Sequence, residues 1–240
     1  MRHLVVGTGQ VGSALLDILK ESSEAIGIDR DSERRFIKNP DVMHVCFPYS
    51  ENFIKEVRNY KKWIRPEFII IHSTVLPGTT EAISYINTYY SPVRGQHDNL
   101  RVDLRRYTKY IAPEPPDRLL EELEKFFVVR IRSRPIDLEI AKLLDTTQYG
   151  ILITWAQEAE RIARKFKVPF GFIREFGRET QLFYKLRPDI KPGFCGGNCV
   201  RQNVALLRKI YKSKFFDAFI DSNRRKAEEL GLEDEVNYDL

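Results

Sequence analysis

The stretch that decides the fold lies at the start of the chain and reads Leu4-Val5-Val6-Gly7-Thr8-Gly9-Gln10-Val11-Gly12. It places an apolar run before a G-x-G-x-x-G pattern, and apolar residues at helical spacing continue to Leu19. In a strand–turn–helix of this kind, Gly7 permits the tight turn, Gly9 lets a pyrophosphate approach the backbone, and Gly12 lets the helix pack on the strand. The start of the helix then presents free N–H groups to phosphates. The pattern predicts a dinucleotide site, and a turn that serves packing alone is the alternative.

A carboxylate follows at the distance that a dinucleotide site requires. Asp29 comes directly after a second apolar run, Ala25–Ile28, and roughly 20 residues beyond the glycine turn. At the end of the second strand, a carboxylate binds the hydroxyls of the adenosine ribose and repels a 2′-phosphate. Asp29 therefore favours NAD as the cofactor, whereas the neighbouring Arg30 leaves NADP as the alternative.

The first half of the sequence alternates short apolar runs with helix-like segments. Val42–Phe47 and Phe68–Ile71 are two further runs of strand length. Runs of this kind, separated by helical segments, predict a parallel sheet that helices cover on both faces. We therefore predict an α/β fold with a Rossmann-like doubly wound sheet, to which Tyr110–Ala112 and Phe126–Ile131 are candidate additions.

The pattern changes near Pro135. From Ile136 to Lys167 there is no proline and a single glycine, and apolar residues recur at helical spacing. Such a helix extends about 48 Å, which a small helical domain cannot cover alone, so the sequence also predicts a homodimer. Further helices are predicted at Pro169–Leu186, Cys199–Tyr211 and Phe215–Leu230. The predicted domains are a Rossmann domain over residues 1–133 and an all-α domain with a long helix over residues 134–240.

The composition is typical of a soluble, cytoplasmic globular protein. The 240 residues are 42% hydrophobic and 30% charged, with a mean hydropathy of -0.38 and no apolar run long enough to span a bilayer. The net charge of +5 comes from interspersed basic and acidic residues, which favours solvated surface over a nucleic-acid partner. The first residues lack the pattern of a secretory leader. Three cysteines, an odd number, favour a reducing compartment.

Cys199 is the candidate nucleophile among the three cysteines. It follows Gly-Gly-Asn and begins a predicted helix, whose dipole lowers the pKa of a thiol. Cys195 lies in the preceding loop and Cys46 in a predicted strand, so neither has that help. An inert thiol is the alternative for Cys199. A metal site at Cys195 and Cys199 would need two more ligands, and because all 4 histidines lie in the first predicted domain, we predict no metal.

Four further segments resemble the UDP-glucose/GDP-mannose dehydrogenases. His72–Thr80 (HSTVLPGTT) resembles their STVxPGTT segment, and Pro192–Cys199 (PGFCGGNC) resembles their catalytic PGFGGSC with one extra residue. Ala141–Glu158 resembles their long-helix motif, in which an asparagine follows a lysine by four residues. Asp221–Arg225 resembles the helix that leads into their third domain, which has no counterpart in this sequence.

The resemblance implies a fold and a cofactor. The implied fold is an NAD-binding domain followed by a central helical domain, and the implied cofactor is NAD. The predicted cofactor-binding residues are Gly7, Thr8, Gly9, Gln10, Val11, Gly12, Asp29, Arg30, Pro48, Ser73 and Thr74.

The resemblance also implies a reaction, the four-electron oxidation of a nucleotide sugar's primary alcohol to a carboxylate by two NAD. In these enzymes a cysteine thiolate captures the aldehyde, the hemithioacetal gives up a second hydride, and water hydrolyses the thioester. The matching nucleophile here is Cys199. Lys142 and Thr146 match the residues that hold the oxyanion, and Asn203 matches an aspartate that assists proton transfer.

The sequence departs from the family pattern at three places. Thr146 replaces an asparagine, Asn203 replaces the aspartate and cannot act as a base, and Ser91-Pro92-Val93 replaces Ser-Pro-Glu. We expect Lys142 and Cys199 to face one cleft beside the nicotinamide, with slow thioester hydrolysis, and Lys142 alone would support a single hydride transfer. The leading hypothesis is an NAD-dependent oxidoreductase that acts on a sugar or nucleotide-sugar derivative. The second hypothesis is a non-catalytic NAD-binding protein, either a sensor or a partner subunit.

Overall fold

The structure, a computed structural model, describes residues 1–29, 39–83, 87–184, 192–210 and 212–232. The chain divides into two compact units, Met1–Lys142 and Leu143–Leu240. This division falls within a long helix, so the boundary after residue 133 stays a prediction. None of the helices in the described ranges is both long and apolar enough to cross a membrane.

A five-stranded parallel sheet forms the centre of the first unit. Its strands are β1 (Arg2–Val6), β2 (Glu24–Ile28), β3 (Val42–Val45), β4 (Phe68–Ile71) and β5 (Thr88–Tyr90). They lie in the order β2-β1-β3-β4-β5, and each neighbouring pair is parallel. The helices described in this unit are α1 (Gln10–Leu19), α2 (Phe53–Ile64), α3 (Thr79–Ala82), α4 (Leu100–Arg106), α5 (Asp117–Glu124) and the beginning of α6 (Pro135–Lys165).

Apolar side chains cover both faces of this sheet. Successive residues of a strand point to opposite faces. Leu4 accordingly packs with Phe53 of α2 in one buried cluster, and Val5 packs with Leu15 of α1 in another. The predicted α/β fold with a Rossmann-like doubly wound sheet is confirmed.

Two more strands form a small sheet of their own. β6 (Lys109–Ile111) and β7 (Val129–Ile131) pair in parallel with each other. An isolated bridge joins them to β5: the N–H of Tyr90 donates to Ala112 O at 2.7 Å, and the N–H of Ala112 donates to Tyr90 O at 3.0 Å. Pro113 follows this bridge and has no N–H to continue it. Each predicted run therefore contains a strand, although only the second half of Phe126–Ile131 is one, and the strands do not extend the main sheet.

The described part of the second unit is helical. It contains the rest of α6, α7 (Phe170–Tyr184), α8 (Asn198–Ile210) and α9 (Lys214–Leu230), close to the predicted positions. Val200 of α8 packs with Phe219 of α9 in a buried cluster. Gly150 lets α8 approach α6, because a Cβ on Gly150 would lie 2.5 Å from Cγ1 of Val200.

Candidate functional site

The glycine turn, Gly7–Gly12, lies at the carboxyl end of β1. In the order β2-β1-β3, the chain leaves β1 for one side of the sheet and later returns on the other side. A switch of this kind opens a crevice at the carboxyl ends of the strands, where α/β proteins bind ligands. The turn thus stands at the place where the sequence predicts a dinucleotide.

Two glycines of the turn have no room for a side chain. Gly7 has a φ of +91°, and a Cβ on it would lie 2.6 Å from the backbone N of Phe47. A Cβ on Gly12 would lie 1.8 Å from the carbonyl oxygen of Gly7. Backbone atoms of packed elements cannot give way, so only glycine allows α1 and the segment after β3 to approach the turn this closely.

Gly9 has the opposite environment. It is exposed and precedes α1 without a side-chain hydrogen bond that caps the helix, and a Cβ on Gly9 would meet no described atom within 4 Å. The exposed Gln10 and the half-buried Val11 follow in the first turn of α1, which contains no acidic residue. Open space before uncapped N–H groups is what a pyrophosphate requires. The turn therefore fits the predicted dinucleotide.

Asp29 is held beside the turn by Thr8. Its Oδ2 accepts hydrogen bonds from the N–H of Thr8 at 3.0 Å and from Oγ1 of Thr8 at 3.1 Å. Gly27 of β2 allows this approach, because a Cβ on Gly27 would lie 2.6 Å from Cγ2 of Thr8. The exposed carboxylate and the turn are thus fixed to each other. Arg30, the other predicted ribose-side residue, lies outside the described residues.

The loops after β3 and β4 lie at the same edge of the sheet. Ser73 is buried, and its Oγ donates to the carbonyl oxygen of Phe47 at 2.6 Å. Pro48 is exposed and Thr74 is half-buried. Ser73 therefore joins the two loops to each other, while Pro48 and Thr74 lie nearer to solvent.

Glu139 of α6 holds the segment that contains α3, and it was not among the residues predicted from the sequence. Its carboxylate accepts hydrogen bonds from the N–H of Gly78 at 2.6 Å, the N–H of Thr80 at 2.9 Å and Oγ1 of Thr80 at 2.6 Å. Burial raises the pKa of this fully buried carboxyl, and the same hydrogen bonds oppose that rise. A glutamate in an otherwise apolar stretch of α6, three residues before Lys142, was the available signal.

Lys142 is the last residue of the first unit and lies half-buried on α6. Another lysine, Lys109, is buried on β6, and its Nζ donates to the carbonyl oxygen of Ser91 at 3.0 Å. Burial lowers the pKa of Lys109 to about 7, the Cys46 thiol opposes this, and the charges of Arg94 and Lys142 lower the pKa further. Lys109 was not predicted from the sequence, although a lysine inside the apolar run Lys-Tyr-Ile-Ala was a signal.

The other three predicted catalytic residues belong to the second unit. Thr146 lies half-buried on α6, four residues beyond Lys142. Cys199 is the second residue of α8, and its side chain lies outside the described part of the chain. Asn203 of α8 is fully buried, and among described residues neither its Oδ1 nor its Nδ2 has a hydrogen-bond partner. A cleft shared by Lys142 and Cys199 stays a prediction.

Side-chain amides hold the segment before α8. Oδ1 of Asn223 accepts a hydrogen bond from the N–H of Cys195 at 2.8 Å and another from Nε2 of Gln157 at 3.2 Å. Nε2 of Gln157 also donates to the carbonyl oxygen of Gly193. Burial raises the pKa of the Cys195 thiol to about 12, and it raises that of Cys46 to about 12 as well. Neither thiol is prepared to act as a nucleophile.

Three comparisons relate the chain to known proteins. No family model and no curated protein matches it. The UDP-D-ManNAc dehydrogenase of Pyrococcus horikoshii matches in structure with a TM-score of 0.79 and 19% identity, over 98% of this chain and 71% of that chain. The chain shares the fold of this protein. The predicted resemblance to UDP-sugar dehydrogenases is thereby confirmed at the level of the fold.

Two further solved structures share this fold. The UDP-glucose dehydrogenase of Pyrobaculum islandicum matches with a TM-score of 0.73 and 15% identity, over 96% of this chain and 72% of that chain. The 3-hydroxyisobutyrate dehydrogenase of Mycobacterium tuberculosis matches with a TM-score of 0.71 and 12% identity, over 99% of this chain and 97% of that chain. The same fold thus occurs in a UDP-glucose dehydrogenase and in a 3-hydroxyisobutyrate dehydrogenase.

Proposed function

We propose that this protein is an NAD-dependent dehydrogenase that oxidises a CH–OH group of a sugar or nucleotide-sugar derivative. The observation that carries the proposal is the open space at Gly9, just before the uncapped start of α1. Gly7 and Gly12, on either side, have no room for a Cβ. The resemblance of His72–Thr80 and Pro192–Cys199 to dehydrogenase segments supports the same reaction class, as does the shared fold.

The residues of the first unit fit a bound dinucleotide. The N–H groups at the start of α1, just beyond Gly9, would hold the pyrophosphate, and Asp29 would accept hydrogen bonds from the adenosine ribose. The loops that contain Pro48 and Thr74 would border the cofactor. When bound, NAD supplies the hydride acceptor for the reaction.

Lys142 is the residue that we propose to act on the substrate. Its side chain would hold the substrate oxygen and take the hydroxyl proton as the carbon is oxidised. Glu139, three residues earlier on α6, fixes this part of the helix to Gly78 and Thr80. A catalytic side chain on a helix fixed in this way keeps the orientation that proton transfer requires.

The residues of the second unit favour one oxidation step over two. Asn203 carries an amide where thioester hydrolysis would need a base, and the absence of such a base costs typically about 10²–10⁴-fold in rate. Capture of an aldehyde by Cys199, with Thr146 as a hydrogen-bond donor, remains a proposal. Mass spectrometry after incubation with NAD and substrate would detect an adduct that Cys199→Ala abolishes.

Calorimetric titration with NAD tests the cofactor site. Gly9→Ala fills the open space, so the affinity should fall by about tenfold or more, which corresponds to about 1.4 kcal/mol. Gly177→Ala on α7 is the matched control, because among described atoms a Cβ there also meets nothing within 4 Å. Equal affinity of Gly9→Ala and the parent protein would contradict the proposal.

The choice between NAD and NADP is tested at Asp29. Asp29→Asn keeps an acceptor for Thr8 but removes the charge that repels a 2′-phosphate. The variant should bind NAD more weakly and discriminate less against NADP, as measured by the same titration. Tighter binding of NADP than NAD by the parent protein would refute the role of Asp29.

A non-catalytic NAD-binding protein, either a sensor or a partner subunit, is the second candidate. Asn203 and Thr146 favour it, because both replace residues that the resembling enzymes use in catalysis. Absorbance of NADH during incubation with sugar, nucleotide-sugar and hydroxy-acid alcohols separates the two candidates. If the protein is an enzyme, Lys142→Ala should abolish NADH formation and leave NAD binding unchanged. Binding of NAD without NADH formation from any of these alcohols would favour the second candidate.

We also propose a homodimer built on α6. Leu144, Trp155 and Ile162 fall on one face of this helix and Phe166 follows its end, and the exposures of Trp155 and Phe166 are 66% and 69%. Large apolar side chains exposed along one face mark an interaction surface. Light scattering should report twice the chain mass, and Trp155→Glu should reduce it to 28.2 kDa. Trp63→Glu is the control, since Trp63 of α2 is 60% exposed but lies outside this face.

A cytoplasmic location is part of the same proposal. Cys46 and Cys195 are free thiols, which persist in a reducing compartment. Fractionation of cells that express the protein should recover it with the cytoplasmic contents, and recovery in the secreted fraction would contradict the proposal.

A further inference from the structure

A string of three buried histidines crosses the sheet of the first unit. Nδ1 of His3 lies 3.0 Å from Nε2 of His44, and Nδ1 of His44 lies 2.9 Å from Nε2 of His72. At one end, Nε2 of His3 lies 2.9 Å from Oε1 of Glu122. At the other end, Nδ1 of His72 lies 3.2 Å from Nζ of Lys109. All five side chains are buried, so a continuous chain of hydrogen bonds joins an acid to a base.

The register of the parallel strands places the histidines in line. His3 pairs with Val42, and His44 pairs with Ile70. Each following histidine is therefore one strand over and two residues further along, and residues two apart point to the same face of a sheet. The string runs from the amino ends of the strands to their carboxyl ends, the edge at which the glycine turn lies.

The acid end of the string has a route to solvent. Glu122 of α5 accepts hydrogen bonds from the terminal ammonium of Met1 at 3.2 Å, from Oγ of Ser23 at 2.6 Å and from Nζ of Lys125 at 2.6 Å. An ammonium cannot accept a proton, whereas the hydroxyl of Ser23 both accepts and donates, and Ser23 is half-buried. A proton on Glu122 is thus one hydroxyl away from bulk water.

The base end offers two partners to one nitrogen. Nδ1 of His72 lies 2.8 Å from the carbonyl oxygen of Ser91, as well as 3.2 Å from Nζ of Lys109. A carbonyl oxygen only accepts, so it requires a proton on Nδ1, whereas an ammonium only donates and requires a bare Nδ1. The surroundings of His72 therefore accommodate both tautomers.

We propose that His3, His44 and His72 relay a proton between Lys109 and Glu122. The relay begins with the ring protons on Nε2. The Lys109 ammonium gives a proton to Nδ1 of His72, and the Nε2 proton of His72 passes to Nδ1 of His44. The Nε2 proton of His44 passes to Nδ1 of His3, and the Nε2 proton of His3 passes to the Glu122 carboxylate. Each ring gains one proton and loses one, and the reverse passage restores the first tautomers.

The pKa values of the participating groups keep the rings neutral and make Glu122 a transient carrier of the proton. Burial holds the pKa of His44 and His72 well below the usual value, so each neutral ring has one donor and one acceptor nitrogen. The pKa of Lys109 is lowered to about 7, so this lysine exchanges its proton near neutrality. Burial raises the pKa of Glu122, but the hydrogen bonds that it accepts lower it to about 2, so it readily releases a proton that reaches it.

Several charged or titratable groups face the string. Around Lys109 they come from the residue after β3, from the loop after β5 and from α6. Around His3 and Glu122 they come from the chain start, from the loop before β3 and from the residue after α5. These groups are Cys46, Arg94, Lys142, Met1, Asp41 and Lys125. Cys46 does not compete for the proton, since burial raises the pKa of its thiol to about 12.

A metal ion does not fit between the rings. An ion needs about 2.0–2.1 Å to each imidazole nitrogen, so two ligating nitrogens cannot face each other directly. In the string, the facing nitrogens are 2.9 and 3.0 Å apart, the distance of a hydrogen bond. Within the described ranges, no group of His, Cys, Asp and Glu could hold a metal ion.

The relay would serve the dehydrogenation, and this link rests on the proposed function. Oxidation of an alcohol to a carbonyl releases a hydride and a proton. Lys142, the proposed acceptor of that proton, lies near enough to Lys109 to lower its pKa. In alcohol oxidation the string would then carry the proton to the amino edge of the sheet without admitting water to the carboxyl edge, and in carbonyl reduction the reverse passage would return a proton and restore the first tautomers.

Exchange of the ring protons with deuterium tests the relay without any ligand. Nitrogen-15 labelling of histidine makes the ring N–H of His44 observable by NMR, and its nitrogen shifts identify the tautomer. His3→Gln and Lys109→Met block the two ends, because glutamine forms hydrogen bonds but does not pass a proton and methionine does not titrate. In the double variant, the ring exchange at His44 should slow by about tenfold or more.

The sign of this change separates a relay from a purely structural string. Variants that only destabilise the fold open it more often, so they leave the exchange unchanged or speed it up, and that outcome would overturn the proposal. If His3→Gln does not fold, Glu122→Gln blocks the same end. His97→Gln, at the fourth histidine of the sequence, is the control and should change nothing. Failure of NAD to bind would refute the proposed function and leave this exchange result intact, so the two proposals fail separately.

Discussion

The glycine turn of the first unit and the segment before α8 in the second unit are built in different ways. In the turn, backbone packs on backbone: a Cβ on Gly12 would lie 1.8 Å from the carbonyl oxygen of Gly7. In the second segment, the amides of Asn223 and Gln157 hold the backbone at Cys195. The first construction depends on residues that have no side chain. The second depends on side chains that hydrogen-bond to residues far away in the sequence.

This difference explains why the sequence reveals the glycine turn in detail and the segment before α8 only in outline. Close backbone approach admits glycine alone, so it leaves a pattern in the local sequence. The hydrogen bonds of Gln157 and Asn223, which we call the amide clamp, leave no such pattern. These two residues are 66 residues apart, and each is an ordinary helix residue. The following variants test the two constructions, in order of decreasing effect.

Gly12→Ala should break the backbone construction. The new Cβ would overlap the carbonyl oxygen of Gly7, and neither β1 nor α1 can move without opening the core. We expect a loss of about 3 kcal/mol or more in the free energy of unfolding, measured by urea denaturation, together with loss of NAD binding.

Gly150→Ala is the matched variant in the second unit. A Cβ there would lie 2.5 Å from Cγ1 of Val200, a side chain that can shift, so we expect a loss of stability smaller than that of Gly12→Ala. A loss at Gly150 as large as that at Gly12 would contradict the distinction between the two constructions.

Glu122→Gln tests the buried carboxylate of the first unit, for comparison with the partly exposed Glu229 of the second unit. Burial raises the pKa of Glu122, but the hydrogen bonds that it accepts lower it to about 2 from an ordinary 4.5. A depressed carboxyl pKa stabilises the fold above the unfolded value, and this stabilisation is lost as the pH falls through the folded value. The variant should therefore lose up to about 3 kcal/mol at neutral pH. The difference from the parent protein should shrink as the pH is lowered from about 4.5 to about 2.

Glu229→Gln is the control for this pH dependence. Hydrogen bonds from Lys226 and Arg161 lower the pKa of Glu229, against the effect of burial, but this carboxylate is partly exposed. Solvent screens exposed ion pairs, so the loss should be much smaller than at Glu122. Denaturation at neutral pH and near pH 3 measures both variants, and a pH-independent loss in Glu122→Gln would contradict the assignment.

Asn223→Ala should break the amide clamp of the second unit. It removes the acceptor for the N–H of Cys195 and leaves that buried donor unpaired, which costs about 1–3 kcal/mol. The buried thiol of Cys195 should then react faster with a thiol reagent. Asn87→Ala is the control, since its exposed amide donates to the carbonyl oxygen of Glu67. Unchanged reactivity of Cys195 would contradict the role of the clamp.

The sequence was sufficient for the fold, and it pointed to the glycine turn and Asp29, which the structure brings together. Apolar runs of strand length and one G-x-G-x-x-G turn predict the doubly wound sheet because each acts over a few neighbouring residues. The histidine string could not be predicted in the same way. His3 and His44 are 41 residues apart, and His3 and Glu122 are 119 apart, so their contact depends on strand order and register. Glu139 and Lys109 each had a local signal, a charged residue beside apolar ones, but their hydrogen-bond partners depend on the fold in the same way.

Asn203→Leu should produce the smallest effect and the only gain. In the described part of the chain, neither atom of this buried amide has a hydrogen-bond partner, whereas the buried histidines of the first unit are paired throughout. An unpaired buried amide costs about 1–3 kcal/mol, and an apolar side chain of similar volume removes that cost. We expect a gain of about 1 kcal/mol by thermal denaturation, after some loss to imperfect packing.

Asn203→Ala is the control, because it removes the same amide but leaves a cavity, and it should lose stability. If Asn203→Leu is instead less stable than the parent protein, the amide does not cost the fold stability, and its contrast with the paired histidines of the first unit fails. If the gain is observed and the variant also loses NADH formation while it still binds NAD, the amide is kept for the substrate rather than for the fold.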